Sequence, residues 1–156
     1  MSQKDARLKL RATDAEDLQI ISAMLQDALV APGDMQFVAD KKSFVLAANR
    51  FRWELAAAAN GHGREQPDER VGCGVTFANV ARVRRRGIDR KRRDGFLNLL
   101  AIELSEPADG RRDGVDVLIL FAGDKALLVE TSGLLCQMED FGESYPTQWR
   151  PSHDEG

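Results

Sequence analysis

Apolar positions along this chain follow two periods, and each period marks a different kind of element. Between Asp14 and Gln26, Leu18, Ile21 and Leu25 recur at three- and four-residue spacing with Met24 one position off the row, while Glu16, Asp17 and Gln26 fall on the other side. That spacing predicts an amphipathic helix with one face turned to a core. Thr13-Asp14-Ala15-Glu16 has the form of a capping box: the Thr13 hydroxyl accepts from a free helix amide and Glu16 reaches back to the Thr13 amide. The helix is expected to start there.

Beyond the helix the period shortens. Ala28-Leu29-Val30, stopped by Pro32-Gly33, and Met35-Gln36-Phe37-Val38, stopped by Asp40-Lys41-Lys42, read as two short strands. Ser43 to Trp53, rich in β-branched and aromatic residues, reads as a third. Ala56 to Arg70 has little apolar area and several turn formers, and is expected to be the main surface loop. From Val71, Val75 and Phe77 alternate with Thr76 and Ala78, Val80 and Val83 continue the run, and a slip of parity near Asn79 points to a bulge. Phe96 to Leu104 and Val115 to Ala122 carry apolar residues at both parities, the pattern of central strands covered on both faces. Gly123-Asp124 makes the short connection of a hairpin to Lys125 to Val129. Thr131 or Ser132 as cap, Leu134, Leu135, Met138 and Phe141 as an apolar stripe, and Gly142 as a stop then predict a second helix.

The order helix, about seven mainly antiparallel strands, helix predicts an α+β fold with a bent sheet or partly closed barrel. In element order it resembles the pleckstrin-homology-like roll, whose terminal helix plugs an open end of the sheet. All 156 residues are expected to form a single domain, with residues 1–12 as an N-terminal segment and 146–156 as a polar tail that Trp149 alone could anchor. Hydrophobic residues at 43% and charged residues at 30% place the chain among proteins that fold unaided. The first residues lack the apolar run of an export signal, and Val115 to Ala122 is interrupted by Asp116 and far short of the roughly 20 residues of a membrane helix. The expectation is a soluble, cytoplasmic protein with no membrane span.

Charge changes this picture more than composition does. Eight of the twelve residues from Arg82 to Arg93 are Arg or Lys (Arg82, Arg84, Arg85, Arg86, Arg90, Lys91, Arg92 and Arg93) and only Asp89 is acidic, so against a chain total of −3 the remainder carries about −10. If Arg82 to Arg86 is a strand, Arg82, Arg84 and Arg86 project from one face at roughly 6.6 Å intervals. Planar guanidinium groups take phosphate or carboxylate in bidentate fashion, and a turn at Gly87 would set Arg90 to Arg93 beside them as a second cluster. The segment is thus a candidate anion-binding edge for an acidic protein or a nucleic acid. The plainer reading is that these charges guard a sheet edge against strand addition, since no aromatic residue in the segment could stack on bases.

Other chemistry is sparse. Cys73 and Cys136 lie in no CxxC or CxxxH spacing and read as two buried free thiols; His62 and His153 fall in a glycine-rich loop and a polar tail. No metal, cofactor or catalytic residue is indicated. Gly72-Cys73-Gly74 and Gly61-His62-Gly63 lack the context of a nucleotide loop and read as turns, and no GxSxG element is present, so the sequence leans away from an enzyme. In Asn49-Arg50-Phe51-Arg52-Trp53-Glu54, alternation sets Arg50 and Arg52 opposite Phe51 and Trp53. Arg50, Arg52 and Trp53 form a second candidate surface for stacking, although a core tryptophan with a solvated arginine face is commoner. An alternative function is a small-ligand protein or enzyme with a pocket between sheet and helix, its polar contacts drawn from Asn98, Glu103 or Arg50. A third is self-association through an exposed apolar helix face.

Several blocks taken in order carry a resemblance: Leu8-Lys9-Leu10, Asp14 to Leu18, Leu25 to Ala28, Asn49 to Glu54, Arg86 to Asp89, Leu97 to Ile102 and the terminal Arg150 to Glu155. Together they resemble a small bacterial family labelled domain of unknown function 2948. The resemblance spans nearly the whole chain and implies no activity, cofactor or site residue, so the expected role rests on the basic segment: a non-catalytic binding or adaptor domain.

Overall fold

The computed structural model describes residues 7–54, 68–89, 91, 95–107 and 113–147. In chain order they form β1 (Lys9–Ala12), α1 (Ala15–Met24), β2 (Leu29–Val30), β3 (Met35–Val38), β4 (Ser43–Phe51), β5 (Asp68–Phe77), β6 (Val80–Arg86), β7 (Leu97–Ser105), β8 (Val115–Phe121), β9 (Lys125–Thr131) and β10 (Cys136–Thr147). All ten strands join one antiparallel sheet in the order β1-β10-β5-β4-β2-β7-β8-β9-β6, with β3 also paired to β4. The α+β assignment, the count of seven strands, the C-terminal helix and the pleckstrin-homology-like roll are therefore all overturned. The fold is mostly β, with one α-helix among the described residues.

Each correction has a local cause. At the C-terminal end, Leu134, Leu135, Met138 and Phe141 mimic a helical stripe, but Cys136, Met138 and Asp140 are buried while Gln137 and Glu139 are exposed. This period of two lets β10 pair with β5 from Cys136↔Phe77 through Phe141↔Gly72, and a helix would forfeit that ladder. β1 escapes notice because only Leu10 and Ala12 face inward from a polar stretch; it pairs with β10 from Lys9↔Glu139 to Ala12↔Cys136. Gly72 and Gly74 lie inside β5 rather than in a turn, and a Cβ on Gly72 would come within 2.9 Å of the Phe141 ring.

The apolar residues at both parities of β7 have a different origin from the one expected. The register slips between Leu99 and Ala101, so Leu97 and Leu99 face inward before the slip and Ile102 after it, and the bulged Leu100 is exposed. Between β5 and β6 the chain crosses from one half of the sheet to the other through Asn79, at φ 60°, and the register slip lies just beyond, between Val80 and Arg82. The β8–β9 hairpin turns through Gly123 and Asp124, both at positive φ.

Two halves of the sheet, β1-β10-β5-β4 and β7-β8-β9-β6, meet at β2, whose Leu29 pairs with Asn49 of β4 and Asn98 of β7. Their inward residues, among them Phe44, Val75 and Met138 from the first half and Leu99, Ile119, Leu127 and Val129 from the second, belong to a single core. The helix packs on β7 and β1. Asp14, not Thr13, is its cap: the Asp14 carboxylate accepts from the Asp17 amide at 2.8 Å. Leu18 and Ile21 are buried, and the Ser22 hydroxyl accepts from the Ile102 amide at 2.8 Å, so the helix seats directly on β7. Far along the sheet, β6 comes back toward β3 and β4, where the Val80 amide donates to the Lys42 carbonyl at 2.8 Å. Beyond that tie β3 and β6 part, leaving a cleft of about 520 Å³ lined by Pro32, Gly33, Met35, Gln36, Phe37, Val83 and Arg85.

Candidate functional site

β6 is the terminal strand of the sheet, and its pairing with β9 determines where its arginines point. Val83 and Arg85 stand opposite the buried Val129 and Leu127, on the inward parity, whereas Arg82, Arg84 and Arg86 stand opposite Glu130, Leu128 and Ala126 and project from the outer face. The side chains of Arg82, Arg84 and Arg86 are 61%, 50% and 62% exposed. Glu130, itself buried, lies between the first two: its Oε2 is 2.9 Å from Arg84 Nε and 3.9 Å from Arg82 Nε. Arg86 meets the exposed Asp124 of the hairpin at 3.2 Å. Three guanidinium groups thus share two carboxylates. In the Arg82 and Arg84 pairs the closest nitrogen is Nε, nearest the side-chain stem.

Gly87 ends the strand at φ 73°. Lys91 is exposed, its amide held by Asp89 at 2.9 Å, while Arg90, Arg92 and Arg93 lie outside the described residues. The structure therefore brings Arg82, Arg84 and Arg86 together, turns Arg85 toward the cleft, and says nothing of a second cluster. His62, His153 and Trp149 also fall outside the described residues, as does residue range 56–67 of the expected surface loop; Asp68 to Arg70 open β5 instead.

Arg50 and Arg52 do not form a solvated face. Both are buried, at 0% and 2% exposure. Arg50 shares its parity on β4 with the core residues Phe44, Leu46 and Ala48, so its side chain runs inward and reaches over β5 to Asp140 of β10. All five of its N–H donors are used. Nε and Nη2 donate to the two oxygens of Asp140 at 2.8 Å each, Nη1 and Nη2 donate to Glu54 at 2.9 and 2.7 Å, and Nη1 donates to the Phe51 carbonyl at 3.3 Å. Asp140 also accepts from the Leu8 amide at 2.9 Å, which ties the residue before β1 to the same cluster.

Burial works against charge here and is outweighed. For Arg50 desolvation opposes the cation, but hydrogen bonds and charges from Asp140 and Glu54 raise its pKa above the ordinary value. For Glu54 desolvation pushes upward, and the Arg50 hydrogen bond, a backbone bond and the charges of Arg50 and Arg52 bring the carboxyl below its usual range. Arg52 extends the network to Glu69 at 3.1 Å. On the neighbouring surface Trp53 is half-buried, set edge-on to Phe51 with ring centroids 4.6 Å apart, and donates from Nε1 to the Gln26 carbonyl at 2.9 Å.

Asn98, Glu103 and Arg50 do not converge: Asn98 is half-buried beside β2, Glu103 is exposed on β7, and Arg50 is saturated in its ion cluster. Leu18 and Ile21 are buried where the helix meets β7, and the cleft among the described residues lies elsewhere, between β3 and β6. The apolar stripe of the helix, Leu18, Ile21 and Leu25, is buried inside the chain, and Ile20 is half exposed. Cys73 and Cys136 are buried free thiols, each pushed up to about 12 by desolvation, with Arg50 lowering and Asp140 raising the former. Among the described residues no three His, Cys, Asp or Glu side chains gather as a metal site, and no helix is long and apolar enough to cross a membrane.

A family model described as protein of unknown function (DUF2948) matches residues 8–153, nearly the whole chain. No curated protein and no solved structure matches it.

Proposed function

The chain belongs to the DUF2948 family, which brings no assigned chemistry, and we propose that it is a non-catalytic binding or adaptor module that engages an anionic partner through the outer face of β6. The observation that supports this reading is the row of Arg82, Arg84 and Arg86, half or more exposed and matched, among the described residues, by two carboxylates. Glu130 approaches the stem side of two guanidinium groups, which leaves their outer Nη1 and Nη2 edges for bidentate contact with carboxylate or phosphate. It also restrains two long side chains that would otherwise lose rotamer freedom on binding. The acidic remainder of the chain keeps anions from most other faces, so the row steers a partner to one place.

A titration of the full chain with dye-labelled polyglutamate tests the reading. Saturable binding at low salt is expected, weaker as salt rises, and reduced by about tenfold or more in the Arg82→Ser/Arg84→Ser/Arg86→Ser variant with its melting temperature kept. No binding at low salt removes the proposal.

A further inference from the structure

Resting on that reading, we infer that the partner is an extended acidic peptide segment that adds as a strand to the free edge of β6, inside the cleft between β3 and β6. Among the described residues β6 pairs only with β9 and β3 only with β4, so within them each has one edge whose backbone groups lack a ladder. Unpaired strand edges recruit extended chains by main-chain hydrogen bonding, with side-chain pockets supplying specificity. Here the two edges flank one cleft, tied at one end by the bond from Val80 to Lys42 and open along Val83 and Arg85. Its volume of about 520 Å³ suits a short segment rather than a folded domain.

The parity of β6 dictates what that segment must look like. Side chains of an added strand alternate between the outer face, beside Arg82, Arg84 and Arg86, and the inner face, toward Val83, Met35 and Phe37. The sequence that fits alternates acidic with apolar residues over about five positions, the roughly 13 Å from Arg82 to Arg86 at ~3.3 Å per residue. A nucleic acid would satisfy the arginines but leave Phe37 and Val83, the partly exposed apolar residues of the cleft, uncovered. A second copy joined edge to edge at β6 would set two arginine rows side by side and be repelled. The charges that guard this edge against most strands thus select for one kind.

The decisive probes are a dye-labelled Glu-Val-Glu-Val-Glu peptide with neutral flanks, a block-ordered peptide of the same composition, and an alternating peptide N-methylated at every second amide along one edge or the other. Strand addition predicts that the alternating peptide binds the full chain about tenfold or more tighter than the block-ordered one. Methylation on the edge facing β6 should abolish binding far more than methylation on the other edge, and amide shifts should concentrate in β3 and β6. Equal affinity for the alternating, block-ordered and methylated peptides overturns strand addition while leaving anion docking intact; failure of these peptides and of polyglutamate overturns both. Tighter binding of a single-stranded oligonucleotide than of the alternating peptide at physiological salt also overturns the peptide assignment. Val83→Glu, on the half-buried cleft side of β6, checks the site from the protein's side: it should reduce alternating-peptide binding and spare polyglutamate, and an equal effect on both counts against the cleft.

Discussion

The arginines of β4 and those of β6 carry the same charge on strands of the same sheet, and the protein puts them to opposite uses. Arg50 has 0% exposure and spends all five donors on Asp140, Glu54 and the Phe51 carbonyl, whereas Arg82, Arg84 and Arg86 are half or more exposed and each meets one carboxylate. The first arrangement holds three distant parts of the chain, β4, β10 and the residue before β1, at one point. The second leaves most of its hydrogen-bonding capacity facing water. Charge therefore does not decide which arginine is structural. Parity relative to apolar neighbours does: Arg50 follows Phe44, Leu46 and Ala48 inward, and Arg82, Arg84 and Arg86 oppose Val83 outward.

Breaking the inner set should have the largest effect. Arg50→Ala leaves Asp140, whose side chain is 1% exposed, buried without its cation, and a loss of about 3–5 kcal/mol in urea unfolding is expected. Arg50→Met combined with Asp140→Leu should recover much of that loss, because two neutral side chains incur no desolvation of charge. Cys73 gives a second readout. It lies on β5, paired with Asp140, and burial pushes its pKa up to about 12, so slow labelling of the native protein is expected. In Arg50→Ala a thiol reagent should label Cys73 well before Cys136, which sits at the far end of the same strand pair. Equal labelling rates would mean that Arg50 does not secure this end locally.

Acid should loosen the same region more gently. The Glu54 carboxyl titrates below its ordinary value in the fold, so its contribution is complete above the unfolded pKa of about 4.3 and declines as pH falls, because the unfolded chain takes up the proton first. Stability measured from pH 6 down to pH 3 should fall less steeply in Glu54→Gln than in the parent. Parallel curves would deny Glu54 its part in the cluster.

The sequence holds more of the inner cluster than its aromatic residues suggest. Arg50 shares parity with three apolar residues, and that row alone puts it in the core; the aromatic pair Phe51 and Trp53 drew attention to the wrong face. Asp140 was hidden by a spurious helical stripe, since Leu134, Leu135, Met138 and Phe141 fit a period of 3.6 as well as Cys136, Met138 and Asp140 fit a period of 2. Short apolar runs support either period until a partner strand is known, and the partner of β10 is β5, more than fifty residues upstream. The β6 row was legible because strand geometry fixes its spacing locally, whereas Glu130, which meets it from β9, follows only from the register of a hairpin-linked pair.

Changes to the outer set should register in binding more than in stability. Arg84→Ala removes a half-exposed arginine from beside the buried Glu130 while Arg82 stays within 3.9 Å of the same oxygen, so a stability loss of about 1–2 kcal/mol, smaller than for Arg50→Ala, is expected. Glu130→Gln is the smallest perturbation and separates two roles of that carboxylate. It takes one buried negative charge from beside the exposed Arg82 and Arg84, which favours an anion arriving from solvent by up to roughly 1 kcal/mol. It also frees side chains that Glu130 had restrained, at a cost of about 0.5 kcal/mol or more on binding. With the Coulomb contribution the larger at low salt, polyglutamate should bind the variant about two- to fourfold tighter, and the gain should vanish at high salt, where screening removes the attraction but not the cost of ordering. An affinity indifferent to Glu130 at low salt would put the docking anion beyond reach of Arg82 and Arg84, and the contrast between inner and outer arginines would then be one of burial alone.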